Sequence, residues 1–122
     1  MLIKRLWPVL AGGMLLASSP AHAACRMGSI FFGLQQVTTT PLELNSGEYC
    51  SGQFKIPRLW IKQAEVLEQP KNGLVSFDQK TYVWKYRPFR TFKGNDSFAL
   101  RIHGYDDKIN GDGTVVFKVK VQ

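Results

Sequence analysis

The sequence predicts an all-β protein: an antiparallel β-sandwich of about seven strands. Three observations carry that prediction. Apolar residues recur at every second position through the C-terminal half, as in "DSFALRIHGY" and "TVVFKVKVQ". Turn-forming clusters such as "NSG", "QPKNG" and "NGDG" punctuate the chain, at roughly the spacing of sandwich strands. No stretch after Pro20 carries a clean helical stripe.

The first element is not part of the fold. Lys4 and Arg5 precede a mostly apolar run, Leu6 to Ala17, then Pro20 and the small-residue site Ala21-His22-Ala23. That order is the anatomy of a secretory signal peptide over residues 1–23. The apolar run falls short of the ~20 residues a membrane-spanning helix needs, so the mature chain is expected to have no transmembrane segment. Residues 24–122 then form one domain with one modest core. The protein is expected to be exported, to the periplasm or beyond.

Both cysteines, Cys25 and Cys50, fall in the mature part. Export sends them to an oxidising compartment, where a disulfide is the ordinary outcome. It would contribute roughly 3 kcal/mol and tie down the N-terminus. A lipid anchor on Cys25 is the weaker alternative, because His22 stands where lipoprotein signals usually carry an aliphatic residue. A cross-link to another chain is a third reading.

Along the mature chain, "SIFFGLQQVTT" and "TPLELNS" read as strands divided by Pro41. "RLWIKQAEVLEQ" has no decisive period; it is assigned to strand because the turn "QPKNG" leads straight into "GLVSF". "GLVSF" and "KTYVWKYR" flank Asp78-Gln79 as a hairpin. In "DSFALRIHGY", Phe98, Leu100 and Ile102 point one way and Ala99, Arg101 and His103 the other. In the last strand Val115, Phe117, Val119 and Val121 face inward, with Lys118 and Lys120 outward.

From Ala64 to Val121, the order "QPKNG…V…Y-x-P…F-x-G-x-D-S-F", an alternating strand, a Gly/Asp loop and "V-x-V-x-V" resembles bacterial immunoglobulin-like domains. The nearest type is the cadherin-like repeat of large bacterial surface proteins. Tyr86, Pro88, Phe92, Gly94, Asp96, Ser97 and Phe98 carry the most specific part of the likeness. The resemblance implies an immunoglobulin-like sandwich. The N-terminal half departs from it, with "LNSGEYC" in place of the repeat's acidic segment, and one copy stands where surface proteins have many.

In this corner Tyr86, Phe92 and Phe98 are expected to enter the core. Pro88 suits the point where a strand leaves its sheet. Gly94 suits a left-handed turn, and Asn95, Asp96 and Ser97 suit capping of backbone N–H groups. The competing reading is a binding surface made from the same residues.

The chain is basic, with 16 Lys and Arg against 9 Asp and Glu. That balance favours polyanions and says nothing of fold. Lys85, Arg87, Arg90 and Lys93, joined by Arg101, are expected to form one basic face, either a plain solvated surface or a shallow site for an anionic glycan or lipid. Trp84 belongs either to the core or, beside Lys85 and Arg87, to a sugar-stacking surface; Trp60 presents the same choice. Asp106, Asp107, Asn110 and Asp112 crowd one loop, but their spacing fails the calcium-loop pattern and Lys108 interrupts it. A hairpin loop is expected there, with no metal and no cofactor.

Enzyme chemistry is not expected. The mature chain has one histidine, His103, and no glycine-rich phosphate loop, nucleophile elbow or CxxC motif. The expected function is non-catalytic binding of an anionic envelope glycan or lipid. The alternative is an accessory subunit docking on another envelope protein through a sheet edge. Nucleic acid is not an expected partner in this compartment.

Overall fold

A computed structural model describes residues 25–122, and the leader expected over residues 1–23 lies outside them. The period-two runs become eight strands. These are β1 (Cys25–Met27), β2 (Val37–Leu44), β3 (Cys50–Gln53), β4 (Trp60–Glu68), β5 (Gly73–Phe77), β6 (Val83–Pro88), β7 (Gly94–Tyr105) and β8 (Asn110–Val121). They build a five-stranded sheet in the order β1-β2-β8-β7-β4 and a three-stranded sheet in the order β3-β6-β5. The protein is an all-β sandwich, and among the described residues no helix is long and apolar enough to cross a membrane.

All neighbouring strands pair antiparallel except β2 and β8, which are parallel from Val37–Thr114 to Leu44–Val121. Two N-terminal expectations need correction. Residues 28–36 lie outside the strands, with Gln35 in a left-handed turn at φ 62°. Pro41 does not divide two strands; it sits inside β2 opposite Lys118. Its carbonyl accepts from Gly28 N–H at 3.1 Å, on the side where β1 has already ended. In a strand, a residue's nitrogen and carbonyl point to the same side, so the missing donor costs β2 no ladder bond to β8.

The core is aromatic at its centre. Trp84 and Tyr86 of the small sheet meet Phe98 and Phe117 of the large one, and all four are buried. Ring centroids lie 4.8 Å apart for Trp84–Phe117, 5.2 Å for Tyr86–Phe98 and 4.7 Å for Phe98–Phe117. Burying each such ring contributes about 1.5–3 kcal/mol, and a favourable aromatic pair adds roughly 0.5–1.5 kcal/mol. Leu42, Leu44, Leu100, Ile102, Val115, Val119 and Val121 complete the core, following the predicted alternation of β7 and β8. Gly52 leaves room for the Trp84 indole, since a Cβ there would stand 2.7 Å from the ring.

The corner after β6 is architectural in detail. Pro88 ends β6, and Phe92 N–H donates to the Phe89 carbonyl at 2.9 Å to turn the chain. Phe92 packs half-buried against the core. Gly94 enters β7 at φ 133°, a conformation that disfavours any side chain. "GNDS" is strand rather than loop, because Gly94, Asn95 and Asp96 already pair with Val121, Lys120 and Val119.

Asp96 does more than cap its own turn. Its carboxylate accepts from the backbone N–H of Lys71 and Asn72 at 3.0 Å each and of Ser97 at 2.9 Å, and from the Tyr86 hydroxyl at 3.0 Å. One side chain therefore ties β6, β7 and the "PKNG" turn together. The hairpin between β5 and β6 is held similarly, with Asp78 accepting from Lys80 and Thr81 N–H groups, which pull its carboxyl below the usual range.

The disulfide joins Cys25 to Cys50 with Cα atoms 5.5 Å apart. It links the edge strand of the large sheet to the edge strand of the small one, across the open side of the sandwich. With its sulfur committed to Cys50, Cys25 has none left to carry lipid.

Two outcomes follow from these bonds. Replacing both cysteines by alanine should remove roughly 3 kcal/mol, lowering the melting temperature by on the order of 15 °C in calorimetry; an unchanged midpoint would contradict the staple. Tyr86→Phe keeps the ring and loses the bond to Asp96, at a cost of about 2 kcal/mol in denaturant titration. Burial first, and then the Asp96 charge, raise the Tyr86 hydroxyl well above its ordinary value of 10. That contribution is complete below pH 10 and is lost as pH rises toward the folded-state value. The stability gap between the native protein and Tyr86→Phe should therefore narrow above pH 10, and a constant gap would contradict the assignment.

Candidate functional site

Because Trp84, Tyr86 and Pro88 point into the core, alternation sends Lys85, Arg87 and Phe89 outward from the small sheet. Ser51 of β3 lies opposite Lys85, and Tyr49 precedes Cys50, the partner of Tyr86. Tyr49 therefore stands on the same outer face. The Lys85 ammonium lies 4.6 Å from the Tyr49 ring centroid and the Arg87 guanidinium carbon 5.4 Å from it. Each cation–π contact at such a partly exposed site contributes about 0.5–1 kcal/mol. The ring holds two like charges close together on one side of the sheet.

Arg90 completes the arrangement from the corner. With Gly47, Glu48, Tyr49, Arg87 and Pro88 it lines a cleft of about 370 Å³. The far wall is a rigid turn. Gly47 adopts φ 86°, the Glu48 carboxylate accepts from Asn45 N–H at 2.7 Å, and Ser46 Oγ donates to the Arg90 carbonyl at 3.2 Å. Among the described residues no carboxylate comes within 4 Å of the charged nitrogens of Lys85, Arg87, Arg90 or Lys93, whereas Arg26, Arg58 and Arg101 each have an acidic partner. Two planar guanidinium groups beside a polar ring suit an oxyanion, which each can grip through two N–H groups.

The predicted basic face is thus smaller than the sequence suggests, and differently composed. Lys85, Arg87 and Arg90 come together. Lys93 is exposed in the same corner but does not line the cleft. Arg101 belongs elsewhere: it alternates with the buried Leu100 and Ile102 of the large sheet, so it faces the opposite side of the sandwich. There it donates from Nε to Glu65 at 2.9 Å, a bond that raises its pKa. Trp84 is only 1% exposed and is no sugar platform. Among the described residues the tryptophan at the surface is Trp60, stacked on Tyr105 at 5.4 Å on the outer face of the large sheet.

Tyr49 is the residue that sequence reasoning missed. Its only signal lay in "LNSGEYC", one position before a cysteine whose strand partner could not be read from the chain.

The remaining candidates have local roles. Only Asp106 and Asp107 of the expected acidic loop lie between β7 and β8. Asp106 accepts from Lys108 and Ile109 N–H groups, which lower its pKa, and Asp107 pairs with Arg58. Asn110 and Asp112 already belong to β8, where Asp112 faces its ladder partner His103. Each carboxylate in that loop is engaged in the turn or with a neighbour. No group of three potential metal ligands occurs among the described residues. A separate hollow of about 470 Å³, lined by Met27, Phe31, Phe54, Ile56 and others, opens beside the edge strand β3.

Compared with known proteins, the chain matches no family model and no curated protein.

Proposed function

We propose that the protein is a non-catalytic binding module of the cell envelope. It holds an anionic group of a glycan or lipid in the cleft between Tyr49, Arg87 and Arg90. One observation carries this reading: Lys85 and Arg87 crowd onto a single tyrosine ring, and among the described residues no carboxylate lies within 4 Å to neutralise them. Like charges gathered without a partner leave an electrostatic demand that an incoming anion meets. The disulfide supports an exported setting, since such bonds persist in oxidising compartments. The likeness of the Tyr86–Phe98 corner to cadherin-like bacterial repeats is in keeping with a binding rather than a catalytic role, by association alone.

A second reading has its own observation. Phe31, 76% exposed, lies with Met27 and Phe54 beside the unpaired edge of β3. An accessory subunit docking on another envelope protein would use that mouth, adding a strand at the edge.

Calorimetric titration with inositol hexakisphosphate, a soluble polyanion, separates the two. The anion reading predicts binding that weakens steeply with salt and falls about tenfold or more in Arg87→Glu/Arg90→Glu, with folding unchanged because both side chains are exposed. Equal affinity in the double variant would contradict it. Loss of a co-purifying protein in Phe31→Ser, with anion binding absent, would favour the docking reading.

A further inference from the structure

The same outer face carries apolar residues that an anion alone does not require. Leu74 is 64% exposed and Phe89 is 51% exposed. They are neighbours. Leu74 pairs with Arg87 across β5 and β6, and Phe89 N–H donates to the Asn72 carbonyl at 2.8 Å, one step further along the same hairpin. Arg87 therefore stands beside both exposed apolar side chains, opposite Leu74 and two residues before Phe89, with Arg90 next to Phe89. The Asp96 carboxylate fixes the Lys71 and Asn72 backbone at 3.0 Å each, and Pro88 precedes Phe89, so the apolar pair is mounted on rigid supports.

We infer that this end of the small sheet is a membrane-docking surface, with Phe89 and Leu74 entering the interface of an anionic bilayer. Arg87 and Arg90 would meet the lipid phosphates. The inference rests on the anion-binding reading and names the anion's source. Charge complementarity commits it to lipid: each side chain that would enter hydrocarbon is flanked by cations, and no carboxylate lies within 4 Å of those cations among the described residues. A free anion would gain nothing from Phe89. A bilayer takes up its ring while the flanking arginines remain at headgroup level, as amphipathic side chains do at an interface.

The test uses the chain from Ala24 onward, disulfide intact, which contains every described strand. Its co-sedimentation with vesicles of phosphatidylglycerol and phosphatidylcholine is compared with that on pure phosphatidylcholine vesicles. Inositol hexakisphosphate serves as the soluble probe. Leu74→Ser/Phe89→Ser should lose about tenfold or more in affinity for the anionic vesicles and keep its affinity for the soluble probe. Both apolar side chains are exposed, so an unchanged melting temperature is expected and serves as the folding control. Vesicle binding equal to that of the native chain in the double variant would overturn the docking inference. So would binding of the soluble probe with no sedimentation on anionic vesicles, which would leave the anion reading standing. Absence of binding to either probe would overturn both.

Discussion

The contact of Trp84 and Tyr86 with Phe98 and Phe117 is the constraint on which the rest depends. It is where the two sheets meet, and it fixes the parity of β6. With those two rings inward, Lys85, Arg87 and Phe89 have nowhere to go but the solvent face. A one-residue slip of β6 would bury two cations and expose two large rings. The charge pattern of the surface is therefore a consequence of the core, and the proposed binding face is as firmly specified as the packing beneath it.

Asp96 turns that parity into a shaped surface. A half-buried carboxylate with four donors would be a costly feature left unsatisfied, since breaking a bond to a charged group forfeits about 1.5–3 kcal/mol. Satisfied, it locks the "PKNG" turn to the start of β7 and to the Tyr86 hydroxyl. The turn in turn sets Asn72, whose carbonyl receives the Phe89 N–H. On the other flank the Cys25–Cys50 bond anchors the start of β3, next to Tyr49. The cleft is thus held from both sides by interactions that belong to the fold, and a site built on such elements loses little entropy when it binds.

Much of this was legible in the sequence because strand periodicity is local. The inward residues of β7 and β8, the hairpin at Asp78, the end of β6 at Pro88 and the left-handed Gly94 all follow from spacing and residue type. The leader expected over residues 1–23 lies outside the described residues. Sheet membership was not legible, because alternation says which residues share a face of one strand but not which strands share a sheet. Arg101 and Arg87 look alike on that evidence, and the sandwich places them on opposite sides. Trp84 could be resolved only by knowing the parity of β6, which a single bulge would reverse. Pro41 misled because its exclusion from strands depends on which side its nitrogen faces. Tyr49 stayed hidden because its partners are reached only through the register of β3 against β6.

The central claim is that core parity makes the outer face of the small sheet, and not that of the large one, the anion-binding surface. Amide chemical-shift mapping of the isotopically labelled chain during titration with inositol hexakisphosphate tests it most directly. The account predicts perturbations at Gly47, Glu48 and Tyr49 and from Lys85 to Arg90, with Trp60, Arg101 and His103 unmoved. Perturbations centred on Arg101 and His103, with residues 85–90 silent, would contradict it.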